Sequence, residues 1–308
     1  MSFASLSLKI GATLHNNLRD KDLEVDPEIQ GHYDIQYGES EKHNSLDVYY
    51  PKGTKGTIPV IVNFHGGGYV YGTKKTYLYY GMFLAKQGFV FVNASYHLAP
   101  KKKYPTQLEE LNLVMEWVMD NHEKYYMDVS NVFIVGDSAG AQLALQYSTL
   151  YSNPNYAELF SFDPPEDFTL RGVALNCGMY NIYNKMVSLN EKNKKYVNLE
   201  LVLLLKDYLG ENWRQYEDQL ATQDYITEAF PPTYLMTAEY DFLREETLPM
   251  VEVLTEHGVT VTYKKHGEPG QKQYVHIFHC NLSLDEAKEA NRIQCDYFKS
   301  LIQQPKES

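Results

Sequence analysis

Apolar and polar positions change rhythm several times along this chain, and each change marks a predicted element. Residues 32–38, "HYDIQYG", and 45–51, "SLDVYYP", alternate in period two across a polar turn, the pattern of an antiparallel hairpin. The next strands read differently. "IPVIVNF" (58–64), "GFVFVNASY" (88–96), "NVFIVG" (131–136), "GVALNCG" (172–178) and "TYLMTAEY" (233–240) are short, nearly unbroken apolar runs. Runs of this kind suit parallel strands covered on both faces.

Helical spacing separates several of these runs. "TYLYYGMFLAKQ" (76–87) joins the first two, and "PTQLEELNLVMEWVMDNH" (105–122) joins the next two. The latter opens with Pro105 and places Leu108, Leu111, Val114, Met115 and Val118 on one face. "AQLALQYSTLY" (141–151) and "EETLPMVEVLTEHG" (245–258) read as further helices, the second closed by Gly258. Pro249 fits that helix only near its beginning. A last strand, "VTVTYKK" (259–265), and a last helix over 284–302 follow. Strand-helix alternation predicts a mostly parallel, twisted sheet flanked by helices.

Two stretches fall outside the alternation: the segment before residue 32, and roughly 180–228, between two core strands. An insertion of that length is usually a lid or binding element. Within it, "LELVLLLKDYLG" (199–210) is helical and "NEKNKK" (190–195) is charged. The expectation is one domain over 1–308, with small helical cap elements at about 1–31 and 180–228.

Composition narrows the function. The 308 residues carry a formal net charge of −12 without a clustered basic face, which argues against nucleic acid. Three scattered cysteines, Cys177, Cys280 and Cys295, make neither a disulfide framework nor a zinc site and fit a reducing compartment. No cofactor or metal is implied. No apolar run is long enough to cross a bilayer, and the N-terminus lacks a secretory signal. A cytoplasmic protein without membrane partners is expected. The 27 tyrosines read as packing or surface residues and carry no assigned function.

The chemistry begins in "VGDSAGAQLALQY" (135–147), which turns from strand to helix within five residues. Gly136-Asp137-Ser138-Ala139-Gly140 matches the G-x-S-x-G nucleophile elbow in its required strand-helix context. The alternative is a serine that merely N-caps the helix. Earlier, "NFHGGGYVYG" (63–72) puts three glycines directly after a strand. Backbone amides exposed there suit an oxyanion better than a nucleotide, because the spacing matches neither a P-loop nor a dinucleotide loop.

"HGGGYVYG", "ASYHLAPKKKYPTQLEE" and "GDSAGA" together resemble the hormone-sensitive-lipase family of α/β-hydrolases, from about Pro59 onward. The resemblance implies an α/β-hydrolase fold and a serine carboxylesterase or lipase with a Ser-Asp-His triad. It implies oxyanion donors at Gly67, Gly68 and Ala139, with His65 and Gly66 shaping the loop. It also implies that His97, where the family carries arginine, serves the scaffold.

Triad order in this fold is serine, acid, histidine. Asp241 follows the strand ending at 240 and matches the family's Asp-x-Leu-Arg pattern; Glu239 and then Asp137 are alternatives. An N-capping role for Asp241 competes with the catalytic one. Chain order leaves His266, His276 and His279 as possible bases, and the family's His-x-Phe pattern selects His276. The loop before it is longer than the short glycine turn expected. The reading is a serine esterase for short acyl esters, acetyl or aryl esters among them, acting through an acyl-enzyme. The alternatives are an amidase or formamidase with the same triad, or a non-catalytic receptor on the same fold. A long-chain interfacial lipase fits the mixed insertion less well. A homodimer through the last strand and helix is a further expectation.

Overall fold

The computed structural model describes residues 1–190 and 198–302. Helix α1 (Phe3–Asp20) precedes the hairpin β1 (Ile29–Gln36) and β2 (Ser45–Pro51). Then come β3 (Ile58–Phe64), α2 (Leu78–Lys86), β4 (Val90–Ala94), α3 (Thr106–Asn121), β5 (Met127–Asp137) and α4 (Ala139–Ser152). The short α5 (Pro154–Ala157) leads to β6 (Leu170–Asn176). The insertion holds α6 (Ile182–Leu189), α7 (Leu199–Leu209) and α8 (Glu217–Leu220). Finally β7 (Thr233–Ala238), α9 (Arg244–Glu256), β8 (Val261–His266) and α10 (Asp285–Leu301) complete the described chain.

Among the described residues these strands form one eight-stranded sheet in the order β1-β2-β4-β3-β5-β6-β7-β8. The β1–β2 and β2–β4 pairs are antiparallel, and every other pair is parallel. The α/β-hydrolase expectation therefore holds. Alternating side chains feed two cores. Val60, Val62 and Phe64 of β3 face one with α3 and α4, while Ile61 faces the other with α2 and α10. Each such buried side chain contributes roughly 1.5–3 kcal/mol.

Element boundaries moved where loops compete with the pattern. The strand read over 88–96 is Val90–Ala94, because Gly88 turns with φ +98° and Tyr96 leaves the sheet to reach the His65 carbonyl. The strand read over 131–136 begins earlier, at Met127, beyond a register shift against β3. The helix read from 76 starts as a 3-10 turn, Lys74–Tyr77. Pro249 lies in the second turn of α9, further inside than its missing N–H favours. Gly258, with φ +79°, follows the last turn as a left-handed stop.

The two segments outside the alternation pack on each other, α1 against α7. The Asp207 carboxylate accepts from the Ser2 amide and from the Ser5 hydroxyl, each at 2.6 Å. Of the charged run "NEKNKK", residues 191–195 lie outside the described residues.

Candidate active site

β3 and β5 are neighbours, with Phe64 paired to Gly136, so the glycine loop and the serine turn leave the sheet side by side. Chain connections diverge here, with β4 on one side of β3 and β5 on the other. Ligands of open α/β sheets bind at such a switch point, beyond the carboxyl ends of the strands.

Ser138 occupies the turn with φ 53° and ψ −117°, a region that costs about 1–3 kcal/mol for a residue with a Cβ. It stands at the N-cap position of α4, yet its side chain caps nothing. Its hydroxyl has no hydrogen-bond partner among the described residues, while its amide donates to the Asn176 carbonyl at 2.9 Å. The flanking glycines permit the turn: a Cβ on Gly136 would lie 2.2 Å from the Gly140 carbonyl oxygen, and one on Gly140 1.9 Å from that of Phe64.

The glycine loop is fixed from below. His65 is fully buried, stacked on Tyr96 at 4.0 Å, with Nδ1 2.8 Å from the Gly66 carbonyl oxygen. Burial lowers its pKa to about 4, so the ring is neutral and Nδ1–H is the donor. The Gly66 amide donates to the Tyr77 hydroxyl, which in turn donates to Oδ2 of Asp137. Gly67 adopts φ +111°, where a Cβ would collide with the Tyr71 carbonyl oxygen at 2.2 Å. The amides of Gly67, Gly68 and Ala139 donate to no protein acceptor among the described residues.

Asp241 sits just past β7 with its side chain fully buried. Its Oδ1 lies 2.6 Å from Nδ1 of His276 and accepts from the Leu243 amide at 2.9 Å. Thr237 donates its hydroxyl to Oδ2 at 3.0 Å. Burial alone would raise the Asp241 pKa, but the bond from His276, the Leu243 amide and the Cys177 thiol outweigh it and the pKa is lowered. Asp241 thus accepts one backbone hydrogen bond, from Leu243, and also meets His276.

The competing residues are engaged elsewhere. His279 is buried against Tyr80, and His266 lies near Tyr274 and Phe278. Glu239 pairs with Lys265 and Arg244. Asp137 faces Tyr77, and burial raises its pKa to about 6. His97 binds Glu110 through its amide and ring, a scaffold contact as the resemblance implied. Cys177 Sγ, an Asp241 oxygen and a His276 nitrogen lie within 4.8 Å of one another. A soft divalent cation takes such donors; here the thiol, kept protonated by burial, adds a hydrogen bond to Asp241.

Ser138, His276, Gly66, Gly67, Gly68 and Ala139 line one cavity of about 510 Å³. Its far wall is α1, which contributes Leu8, Gly11, Ala12, His15, Asn16 and Arg19, together with Leu201 and Leu204 of α7. A Cβ added at Gly68 would meet Leu8 at 2.9 Å and Leu204 at 3.2 Å, so both side chains lie over that glycine. The sequence predicts cap elements here without naming these lining residues, although those of α1 have the spacing of one helical face. Tyrosine was assigned no function either, yet Tyr69, Tyr71, Tyr77 and Tyr240 line the cavity. Tyr69 also stacks on Tyr208 of α7, ring centroids 3.6 Å apart.

A family model described as the alpha/beta hydrolase fold matches residues 61–279; the chain belongs to that family, in the hormone-sensitive-lipase group its glycine motifs resemble. A versiconal hemiacetal acetate esterase of Dothistroma septosporum is 27% identical over 238 residues, covering 74% of this chain and 69% of its own length. An acetyl esterase of Salmonella schwarzengrund is 24% identical over 274 residues, covering 84% and 77% respectively. The solved structure of esterase B from Lactobacillus Rhamnosis has a TM-score of 0.84 at 23% identity, over 95% of this chain and 92% of that one. That last likeness is one of fold. Among the described residues no helix is long and apolar enough to cross a membrane.

Proposed function

We propose that this carboxylic ester hydrolase cleaves short acyl esters of small molecules through Ser138, His276 and Asp241, with Gly67, Gly68 and Ala139 as oxyanion donors. One observation carries the reading. The imidazole held 2.6 Å from Asp241 shares a cavity with the strained Ser138 and three unpaired amides.

With Nδ1–H given to Asp241, Nε2 of His276 is the free base. Ser138 Oγ forms a bond to the ester carbonyl carbon as its proton passes to Nε2. Charge on the carbonyl oxygen is met by the three amides, where losing one donor typically costs on the order of 3 kcal/mol in barrier. The carbon–oxygen bond to the alcohol then breaks, and the alcohol oxygen takes the proton from Nε2. Water attacks the acyl-enzyme, gives its proton to Nε2, and that proton returns to Ser138 as the acid leaves.

We read residues 1–308 as one catalytic unit capped by 1–31 and 180–228. The apolar wall of Leu8, Met179, Leu201 and Leu204 supports an apolar acyl group over a charged one. The relatives named as acetate and acetyl esterases agree with that choice.

The test is labelling with a fluorophosphonate alongside hydrolysis of p-nitrophenyl acetate, butyrate and palmitate. Covalent modification at Ser138, and loss of both labelling and hydrolysis in a folded Ser138→Ala variant, support the proposal. An unreactive folded wild type supports the receptor alternative, and preference for anilides over esters supports an amidase. Preference for palmitate defeats the short-acyl reading.

A further inference from the structure

Three large apolar side chains stand exposed around His276. Tyr240 is 43% exposed, Phe242 76% and Val275 40%, and all three line the cavity that holds Ser138. Scattered exposed apolar residues need no explanation, whereas a contiguous set at a cleft marks a binding surface. Tyr240 and Val275 are tied to each other, and Phe242 to the imidazole. Tyr240 and Val275 form a bridge between the two loops that carry Asp241 and His276, and the Tyr240 amide donates to the Tyr274 carbonyl at 2.9 Å. The Tyr240 hydroxyl accepts from the Gly270 amide at 2.6 Å, which anchors the ring. Phe242 lies against the imidazole, ring centroids 4.2 Å apart at 44°.

The position of this set relative to the base gives it a function. In acyl transfer the histidine protonates the leaving alcohol, so that alcohol occupies the space beside the imidazole. The other side of the cavity, lined by the glycine loop, Leu8 and Leu204, is then left for the acyl group. Whatever stands on the alcohol carbon therefore meets Phe242, Tyr240 and Val275 first. Two aromatic rings and a branched aliphatic side chain offer no hydrogen bonds from their exposed carbon surfaces, but they offer flat apolar contact.

We propose that Tyr240, Phe242 and Val275 form a leaving-group subsite for aromatic alcohols, so the preferred substrates are short-chain acyl esters of such alcohols. This rests on His276 being the base that faces the alcohol. A different function for the same side chains is to screen the imidazole from water, and that function would act on every ester alike.

The experiment compares benzyl acetate with 2-methoxyethyl acetate, whose alcohols are of similar acidity and differ in the ring. The wild type is expected to favour benzyl acetate at least tenfold in kcat/KM. Phe242→Ala should bring the ratio close to one, with the loss carried by benzyl acetate, and Phe242→Trp should keep it. Phe242 is exposed, so its replacement leaves the buried core intact. Equal loss on both esters, with the pH profile displaced, would establish the screening function and overturn the subsite. A wild type without preference would overturn it too. Ser138→Ala retaining both activities would instead refute the triad, whatever the ratio.

Discussion

The hydroxyl of Tyr77 lies 2.9 Å from the Asp137 carboxylate and 2.9 Å from the Gly66 amide. A hydroxyl has one proton. Because the carboxylate accepts it, the oxygen lone pairs face the amide, and the glycine loop is tied directly to the residue before Ser138.

Removing that link should loosen the glycine loop, the proposed source of oxyanion donors. Tyr77→Phe is expected to lower kcat by about tenfold, less than the 10²–10³ of losing an oxyanion donor, with KM nearly unchanged. Steady-state kinetics measures both. A rise in KM at constant kcat would show that Tyr77 serves the cavity wall only.

The strain at Ser138 leads to an opposite pair of effects. Glycine accepts φ 53°, ψ −117° without penalty, so Ser138→Gly should stabilise the fold by about 1 kcal/mol while abolishing hydrolysis. Thermal denaturation beside an ester assay tests it. An unchanged or lower Tm would mean that the surrounding structure, not Ser138, sets the turn's energy.

Buried titratable groups set the response to acid. Burial holds His65 near pKa 4 and His279 near 3, below the value of about 6.5 in an unfolded chain. The unfolded chain then binds more protons, so their contribution to stability is present above pH ~6.5 and lost as pH falls toward 4, on the order of 3 kcal/mol each. Asp137 works in the other direction: raised to about 6, it contributes below about pH 4 and loses that contribution as pH rises through 6. Denaturant titrations across pH 4–7 should therefore show a flatter loss of stability on acidification in His279→Gln and a steeper one in Asp137→Asn. Parallel curves for all three proteins would contradict the burial argument.

The cap should yield at its anchor. Asp207→Asn weakens two charge-assisted bonds, from Ser2 just before α1 and Ser5 within it, together worth about 1–3 kcal/mol. Protease cleavage within α1 is expected to accelerate and KM to rise, since α1 walls the cavity. Cleavage at the wild-type rate would show that the Leu8 and Leu204 contacts alone hold the helix.

Much of this was legible in the sequence because local patterns were unambiguous. Unbroken apolar runs separated by helical spacing located the parallel strands, and Gly136 and Gly140 bracketed a turn that few other residues fit. Ser138 was legible for the same reason. Asp241 and His276 needed chain order and a family pattern, since nothing local distinguishes His276 from His279. Contacts between distant segments were not legible: the α1 wall and the Tyr77 link arise only once β3, β5 and the insertion are assembled. The Phe242 ring beside His276 is a product of loop pairing, which carries no periodic signal.

The tie between Ser2 and Asp207 spans 205 positions. A chamber closed by such a pairing joins the ends of a long stretch of chain, whose closure costs less entropy once the strands between its two walls are paired. During synthesis Ser138 is made before Asp207, and Asp241 and His276 only after it, so the wall of α1 and α7 can close over the turn before the residues proposed to activate Ser138 are present.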